Sequence, residues 1–463
     1  MTTYTPALRP VHDAADAAFD RNIEELRALC RIPSRRWQPE AMQEASEFLV
    51  QSLRAHGAEA RSIPWADSHP YVLGRIEAAE GAPVLLHYNH YDVEIEPAGD
   101  DSDLEHPPFA AEIHDGKLYA RGVADDKAAL LSRVHAARAF ADAGLPLPTT
   151  VVFLHEGKES LHSPGLASFA AAHADELRSD ATLWENSWFD DSGRLLLKLS
   201  EKGLVYVRLT VRRLRRDGSS QNSSVLPHAA LRLAHCLASL QDAQGRVLLP
   251  GFADDVRGVD DETLGLIDEA EFDAERLGEM MGLDPTAFDA DAPRSLRLTP
   301  TLTITGIESG SPVDSVTLRL PAAASATLEF RLVPGQSSDA VLDGLRAHLA
   351  ALGFDDVEIE VMGTTEPHAT DHRDPFVELV AAAGERAFGI RPAIEPLTPL
   401  VGNQASLAGP PIVGIGVGRA WGASDPNQHV HLEDYRHAVH HVIEIMGALG
   451  SAGSSIDASG STV

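Results

Sequence analysis

Hydrophobic and polar positions along the chain follow two regimes. In residues 13–31 the apolar side chains (Ala18, Phe19, Ile23, Leu26, Leu29) recur at helical spacing, and residues 41–57 repeat that pattern with Gly57 as the stop. Short apolar runs then alternate with helical stretches. Residues 83–88 read as a buried strand, 128–143 as a helix, 149–154 as a strand, 165–177 as a helix and 182–184 as a short strand. Strand–helix alternation predicts an α/β domain with a mainly parallel sheet. From about Gly203 the period changes. Residues 204–211 alternate apolar and polar positions with period two, a helix follows over 227–240, and strands at 315–320, 326–332 and 357–361 flank a helix at 338–352. That order predicts an α+β unit whose sheet has one solvated face. A helix at 375–388 and a strand at 411–415 return to the first regime. The predicted organisation is therefore two-domain: 1–203 and 366–449 form an α/β domain into which an α+β unit, 204–365, is inserted. The Gly-, Ser- and Ala-rich stretch 450–463 is expected to be a disordered tail.

Charge narrows the function. The 463 residues carry a formal charge of −31, which repels phosphate backbones and anionic lipid, so neither a nucleic acid nor a membrane is the expected partner. The longest uncharged stretch, 399–418, is broken by Pro410, Pro411 and several glycines, so no membrane span is expected. Two cysteines make no disulfide framework and no metal pair. With no basic stretch followed by an apolar run at the start of the chain, a cytoplasmic location is expected. The carboxylate-rich stretch 254–291 lacks the ligand spacing of a calcium loop and reads as a solvated surface.

Candidate chemistry collects at the ends of predicted strands. His90-Tyr91-Asp92 follows the first buried strand; His90 and Asp92, two apart on extended chain, face one side, and a carboxylate beside an imidazole fixes its tautomer for a metal. Asp125-Asp126 opens the helix after Gly116–Val123, as a cap or as a carboxylate bridging two cations. Glu156-Gly157-Lys158-Glu159 and Trp184-Glu185 follow two further strands, and His429 comes late. The carboxyl edge of an open α/β sheet is where such sites are built.

In this order the motifs, together with Phe330-Arg331-Leu332-Val333-Pro334-Gly335, resemble the zinc metallopeptidases that include carnosinase, carboxypeptidase G, aminoacylase and succinyl-diaminopimelate desuccinylase, with the carnosinase-like bacterial dipeptidases the nearest in pattern. The resemblance spans roughly residues 13–447. It implies a catalytic domain holding zinc and an inserted lid domain through which two chains dimerise. It assigns His90, Asp125 and Glu185 to one zinc, and Asp125 with His429 to a second. Asp92 would steer His90, and Glu159 would be the general base. Arg331, Gly402 and Asn403 would bind the substrate, a small amide or dipeptide bearing a carboxylate.

Two positions depart from that pattern. Ser160 stands where the family has a second Glu that ligates the second zinc, and a hydroxyl is a poor zinc ligand. Ser219 stands where the family has a His that stabilises the oxyanion of a neighbouring site, and removing one such donor costs about a hundred- to a thousandfold in rate. His155 and His162 are near enough in sequence to compensate for Ser160. The expected function is a metal-dependent amidohydrolase. The alternatives are a one-metal or metal-free relative doing different acyl or amine chemistry, and a non-catalytic binding protein.

Overall fold

A computed structural model of the protein describes the chain except residues 1–2, 67, 94–104, 162, 186, 191, 253–257, 270–271, 285, 287, 289–290, 312–317, 420–426 and 460–463. Two helices, α1 (Arg9–Ala17) and α2 (Phe19–Arg31), replace the single helix expected over 13–31; they meet at Ala18. The apolar spacing continues through the break, because both helices bury the same kind of stripe, so periodicity does not reveal it. Helix α3 (Pro39–Ala55) follows.

The next strands are β1 (Glu59–Ile63), β2 (Tyr71–Ile76), β3 (Val84–His90), β4 (Glu112–His114), β5 (Lys117–Tyr119), β6 (Thr150–Glu156) and β7 (Ala181–Trp184), with α4 (Ala128–Asp142) between β5 and β6. The main sheet has eight strands in the order β1, β2, β6, β3, β7, then Ile412–Gly414, Leu196–Lys198 and Ala393–Glu395. Its centre is parallel: β3 lies between β6 and β7, and β7 pairs with Ile412–Gly414. Every residue of β6 is buried, as a strand covered on both faces requires. One face carries the core of α2, α3 and α4, and the other packs Tyr71, Tyr88, Phe169 and Trp184. The fold class is thus mixed α/β with a large, mainly parallel sheet.

A second sheet of four antiparallel strands has the order Thr301–Ser309, Ala323–Leu332, Gly203–Arg212, Val357–Thr365. Alternate residues of Ala323–Leu332 are buried and half-exposed. The buried set packs against the helices Ala229–Leu240 and Ser338–Ala351 in a hydrophobic core of its own. The strand expected over 315–320 is described only at Arg319–Leu320. The last helix runs from Leu432 to Ser459, past the point where composition ends the ordered chain. Once its first turns are held by the core, each further residue adds a hydrogen bond without a new nucleation cost. No helix among the described residues is long and apolar enough to cross a membrane. Cys30 and Cys236 are buried, free thiols.

One side chain ties the sheet edge together. Arg133 of α4 is fully buried and donates to the carbonyls of Tyr88 (2.8 Å), Leu183 (2.9 Å), Trp184 (2.7 Å) and Ile415 (3.0 Å), and to Asn89 Oδ1 (3.0 Å). These acceptors lie at the carboxyl ends of β3, β7 and the strand Ile412–Gly414. Arg133→Met leaves several buried carbonyls without donors and is expected to lower stability by about 3–5 kcal/mol, the cost of breaking a buried charged network; a urea midpoint equal to wild type would refute it.

Candidate metal and active site

The site follows from where the strands stop. β3 and β6 are parallel neighbours with His90 opposite Glu156, and β7 ends one residue before Glu185. Asp125 does not extend a main-sheet strand, as its place in the strand–helix alternation suggests. It follows β5, which belongs to a separate sheet with β4 and His429–His431, and it sits in the turn that opens α4. That turn needs Gly122, at φ 80°, because a Cβ there would lie 2.3 Å from Val93 Cγ1.

His90 is the hub. Its Nδ1 lies 3.0 Å from the Asp92 carbonyl and 3.3 Å from Asp92 Oδ1, so Nδ1 donates, which would leave Nε2 of a neutral imidazole to face a metal. Nε2 lies 3.3 Å from Asp125 Oδ1 and 3.9 Å from Glu185 Oε2. Asp92 also accepts from the backbone N–H of Glu159 (3.1 Å) and of Ser160 (3.0 Å), and so anchors the turn that carries both.

For Asp126 the sequence offers only the role of a helix cap. The side chain makes no capping bond. Its Oδ2 accepts from Asn89 Nδ2 at 2.6 Å, and donor atoms of His90, Asp126 and Glu185 all lie within 4.8 Å of one another. Asp126 Oδ1 and Glu185 Oε2 are buried with no hydrogen-bond partner.

The electrostatics are those of crowded anions. Burial, with repulsion from Asp125, Asp92 and Glu156, pushes the Glu159 carboxyl up to about 8. Burial also pushes Asp126 to about 6, and burial together with Glu159, Asp126 and Glu201 holds Glu185 well above the usual range. Against its own burial, His90 is raised by Glu185, Asp125 and Asp92. A cation among these groups removes both the repulsion and the orphaned acceptors, so one imidazole and neighbouring carboxylates fit a divalent ion.

The other expected residues stand on other elements, and the strand His429–His431 packs against the turn Val123–Lys127 that carries Asp125. His429 stands opposite Tyr119, with Nδ1 3.0 Å from the Asn427 carbonyl, and its ring contacts are with Tyr119 and His431. His155 alternates with Glu156 along β6. Glu156 accepts from Tyr71 (3.1 Å) and Tyr88 (2.7 Å) on one face, so His155 turns to the other and does not replace the carboxylate missing at Ser160; His162 lies outside the described residues. Ser219 is exposed in the pair Gly218–Ser219 with Arg319–Leu320.

Arg331 donates to Glu329 Oε1 (2.6 Å) and to the Pro399 carbonyl (3.2 Å), which places it beside the chain leading to Gly402 and Asn403. That loop hangs on a buried carboxylate absent from the sequence reading: Glu201 accepts from Gln404 N–H (3.0 Å) and from Trp184 Nε1 (2.9 Å). Trp184 stacks on Tyr88 with ring centroids 3.9 Å apart. A buried acid next to an apolar strand carries no periodic signal, which is why Glu201 was invisible in the pattern.

Residues 86–447 match the family described as Peptidase family M20/M25/M40. The chain belongs to this peptidase family. The Cys-Gly metallodipeptidase of Schizosaccharomyces pombe is 25% identical over 366 residues, 74% of this chain and 75% of its own. The Beta-Ala-His dipeptidase of Mus musculus is 24% identical, covering 72% of this chain and 67% of its own. Among solved structures, an M20 family metallo-carboxypeptidase from Sulfolobus solfataricus superposes with a TM-score of 0.86 at 28% identity over 93% of this chain and 99% of that one.

A Cβ on Gly402 would fall 2.0 Å from Glu201 Oε2. Gly402→Ala is therefore expected to cost about 1–3 kcal/mol, as overpacking does, and to change tryptophan emission as the Glu201–Trp184 bond is disturbed. Thermal unfolding and fluorescence that both match wild type would contradict this packing.

Proposed function

We propose that the protein is a metal-dependent amidohydrolase that cleaves a small carboxylate-bearing amide, a dipeptide or an N-acyl amino acid. The observation that carries this reading is the buried meeting of His90 with Asp125, Asp126 and Glu185, two of whose oxygens have no partner. The names of the related dipeptidases support the same bond class. His90, Asp125 and Glu185 would hold a zinc ion, with Asp126 close enough to join them. Bound there, zinc would polarise the scissile carbonyl and acidify the attacking water.

The remaining work falls to the chain's own side chains. Glu159 takes the proton from the attacking water and returns it to the leaving amine. Asp92 keeps the His90 proton on Nδ1. Arg331 grips the substrate carboxylate with its forked guanidinium, alongside Gly402 and Asn403. In this reading residues 204–365 form a lid that pairs two chains as a homodimer, Ser219 supplies a weaker polar contact than a histidine, and the enzyme works in the cytoplasm.

The family pattern would add a second zinc, held by Asp125 and His429; a second reading keeps one ion instead of two. It is favoured by Ser160, which offers the turn its backbone N–H but no carboxylate. Asp125 and His429 alone make a poor second site, since catalytic zinc usually has three protein ligands.

Elemental analysis separates the two readings. The one-ion reading expects about one zinc per chain, rising to about two in Ser160→Glu, against about three protein ligands per catalytic zinc; two tightly held ions in wild type would overturn it. Glu159→Gln is expected to lower kcat about 10²–10⁴-fold with zinc content unchanged. Zinc-loaded protein inert towards a broad set of dipeptides and N-acyl amino acids would defeat the hydrolase reading itself.

A further inference from the structure

The small sheet that carries His429 also presents ligand-type side chains that the proposed chemistry does not use. Glu112 and His114 lie two apart on β4 and so project to the same side. His106, from the turn before that strand, brings Nδ1 to 3.2 Å from Glu112 Oε2, and His114 Nε2 lies 3.3 Å from the same oxygen. Donor atoms of all three residues fall within 4.8 Å of one another. The rings are held in place by stacking: His106 and His114 have centroids 4.5 Å apart at 24°, and His106 lies 4.0 Å from Tyr119.

Both contacts lie within hydrogen-bond reach, and their lengths also suit ligands sharing one cation. Charge-assisted N–H···O⁻ bonds close to about 2.7–2.9 Å, and both contacts are longer. Ligands about 2.1 Å from one tetrahedral zinc are about 3.4 Å apart, which the two measured separations approach. Two imidazoles and one carboxylate select a borderline transition ion over calcium or magnesium, which prefer all-oxygen sets. Glu112 and His114 are 41% and 51% exposed, so an ion has a path from solvent and a water can complete its shell.

We propose that His106, Glu112 and His114 form a peripheral zinc-type site, separate from the cluster around His90. Bound there, the ion pins residue 106 to the β4–β5 hairpin. Tyr119, on that hairpin, packs both on His106 and on His429, with centroids 4.9 Å apart in the latter pair. The ion therefore acts as a structural tie on the edge of the sheet that carries His429.

Zinc titrated calorimetrically into the full-length protein tests this. Wild type and His90→Ala are both expected to show the site, because it does not depend on the catalytic cluster. His106→Ala and His114→Ala are each expected to weaken it at least about tenfold, since even a ligand's outer hydrogen-bond partners are worth that much. Glu112→Gln gives the same readout with the least change in shape and serves where a histidine variant fails to fold. Isotherms of these variants that overlay wild type overturn the proposal, as does binding only at millimolar zinc. Failure of the hydrolase reading would show differently, as a titration in which His90→Ala changes nothing while the peripheral site persists.

Discussion

The whole catalytic edge depends on one buried guanidinium. Parallel strands end with carbonyls that no neighbour satisfies, and an unpaired buried carbonyl costs about 1–3 kcal/mol. Arg133 donates to four strand-end carbonyls at once, on β3, on β7 and next to the strand Ile412–Gly414, of which that of Trp184 also accepts from Ile415 N–H. It reaches them from α4, the helix whose first turn presents Asp125 and Asp126. The same side chain bonds Asn89, which in turn holds Asp126. The distance between the strand-borne groups (His90, Glu185) and the helix-borne carboxylates is therefore fixed by one planar fork rather than by loops. The charge of Arg133 also offsets part of the negative potential that Asp126 and Glu185 create.

That offset is incomplete, and the remainder explains the site's character. Positive charge reaches Asp126 and Glu185 from Arg133 and Asp92 from Lys127, while His90 faces Asp92, Asp125, Asp126, Glu159 and Glu185. Burial and the neighbouring negative charges raise the proton affinity of Asp126, Glu159 and Glu185. A fold that kept this arrangement for stability alone would be poorly built, because well-packed apolar side chains of similar volume are often more stable than buried charges. The arrangement makes physical sense around a cation, which exchanges that repulsion for coordination.

Much of this was legible in the sequence. Period-two and period-3.6 patterns located the central strands of the main sheet, three of the four strands of the second sheet and most helices, because apolar burial leaves a periodic trace; the edge strands Glu59–Ile63, Ala393–Glu395 and Thr301–Ser309, and the strands Tyr71–Ile76 and Leu196–Lys198, went unread. His90, Asp92, Glu159 and Glu185 stood out as polar residues interrupting or ending apolar runs. What stayed hidden has a different physical origin. Arg133 and Glu201 are charged residues inside elements whose neighbours are apolar, and their partners are backbone groups distant in sequence, which no local pattern encodes. The break at Ala18 is hidden because both helices bury the same stripe. Asp126 was read as a helix cap, since adjacent aspartates at a helix start carry the same signature whether they cap it or face a site; only the bond from Asn89 and the orphaned Oδ1 separate the two.

The departure at Ser160 is chemically local, and the geometry says why the fold accommodates it. The turn Glu159–Leu161 is held by backbone N–H groups of Glu159 and Ser160 on Asp92, and those bonds are indifferent to the side chain at 160. Under the proposed function, a serine in place of a carboxylate there would cost a ligand without moving Glu159. Nor can the neighbours restore it. Both Asp92 oxygens are engaged by that same turn, Glu156 is held by Tyr71 and Tyr88, and His155 faces away. Under the proposed function the consequence of Ser160 would thus fall on how many cations the site retains and not on how the remaining groups are placed, so a search for altered chemistry in this chain belongs at the metal count before it belongs at the scaffold.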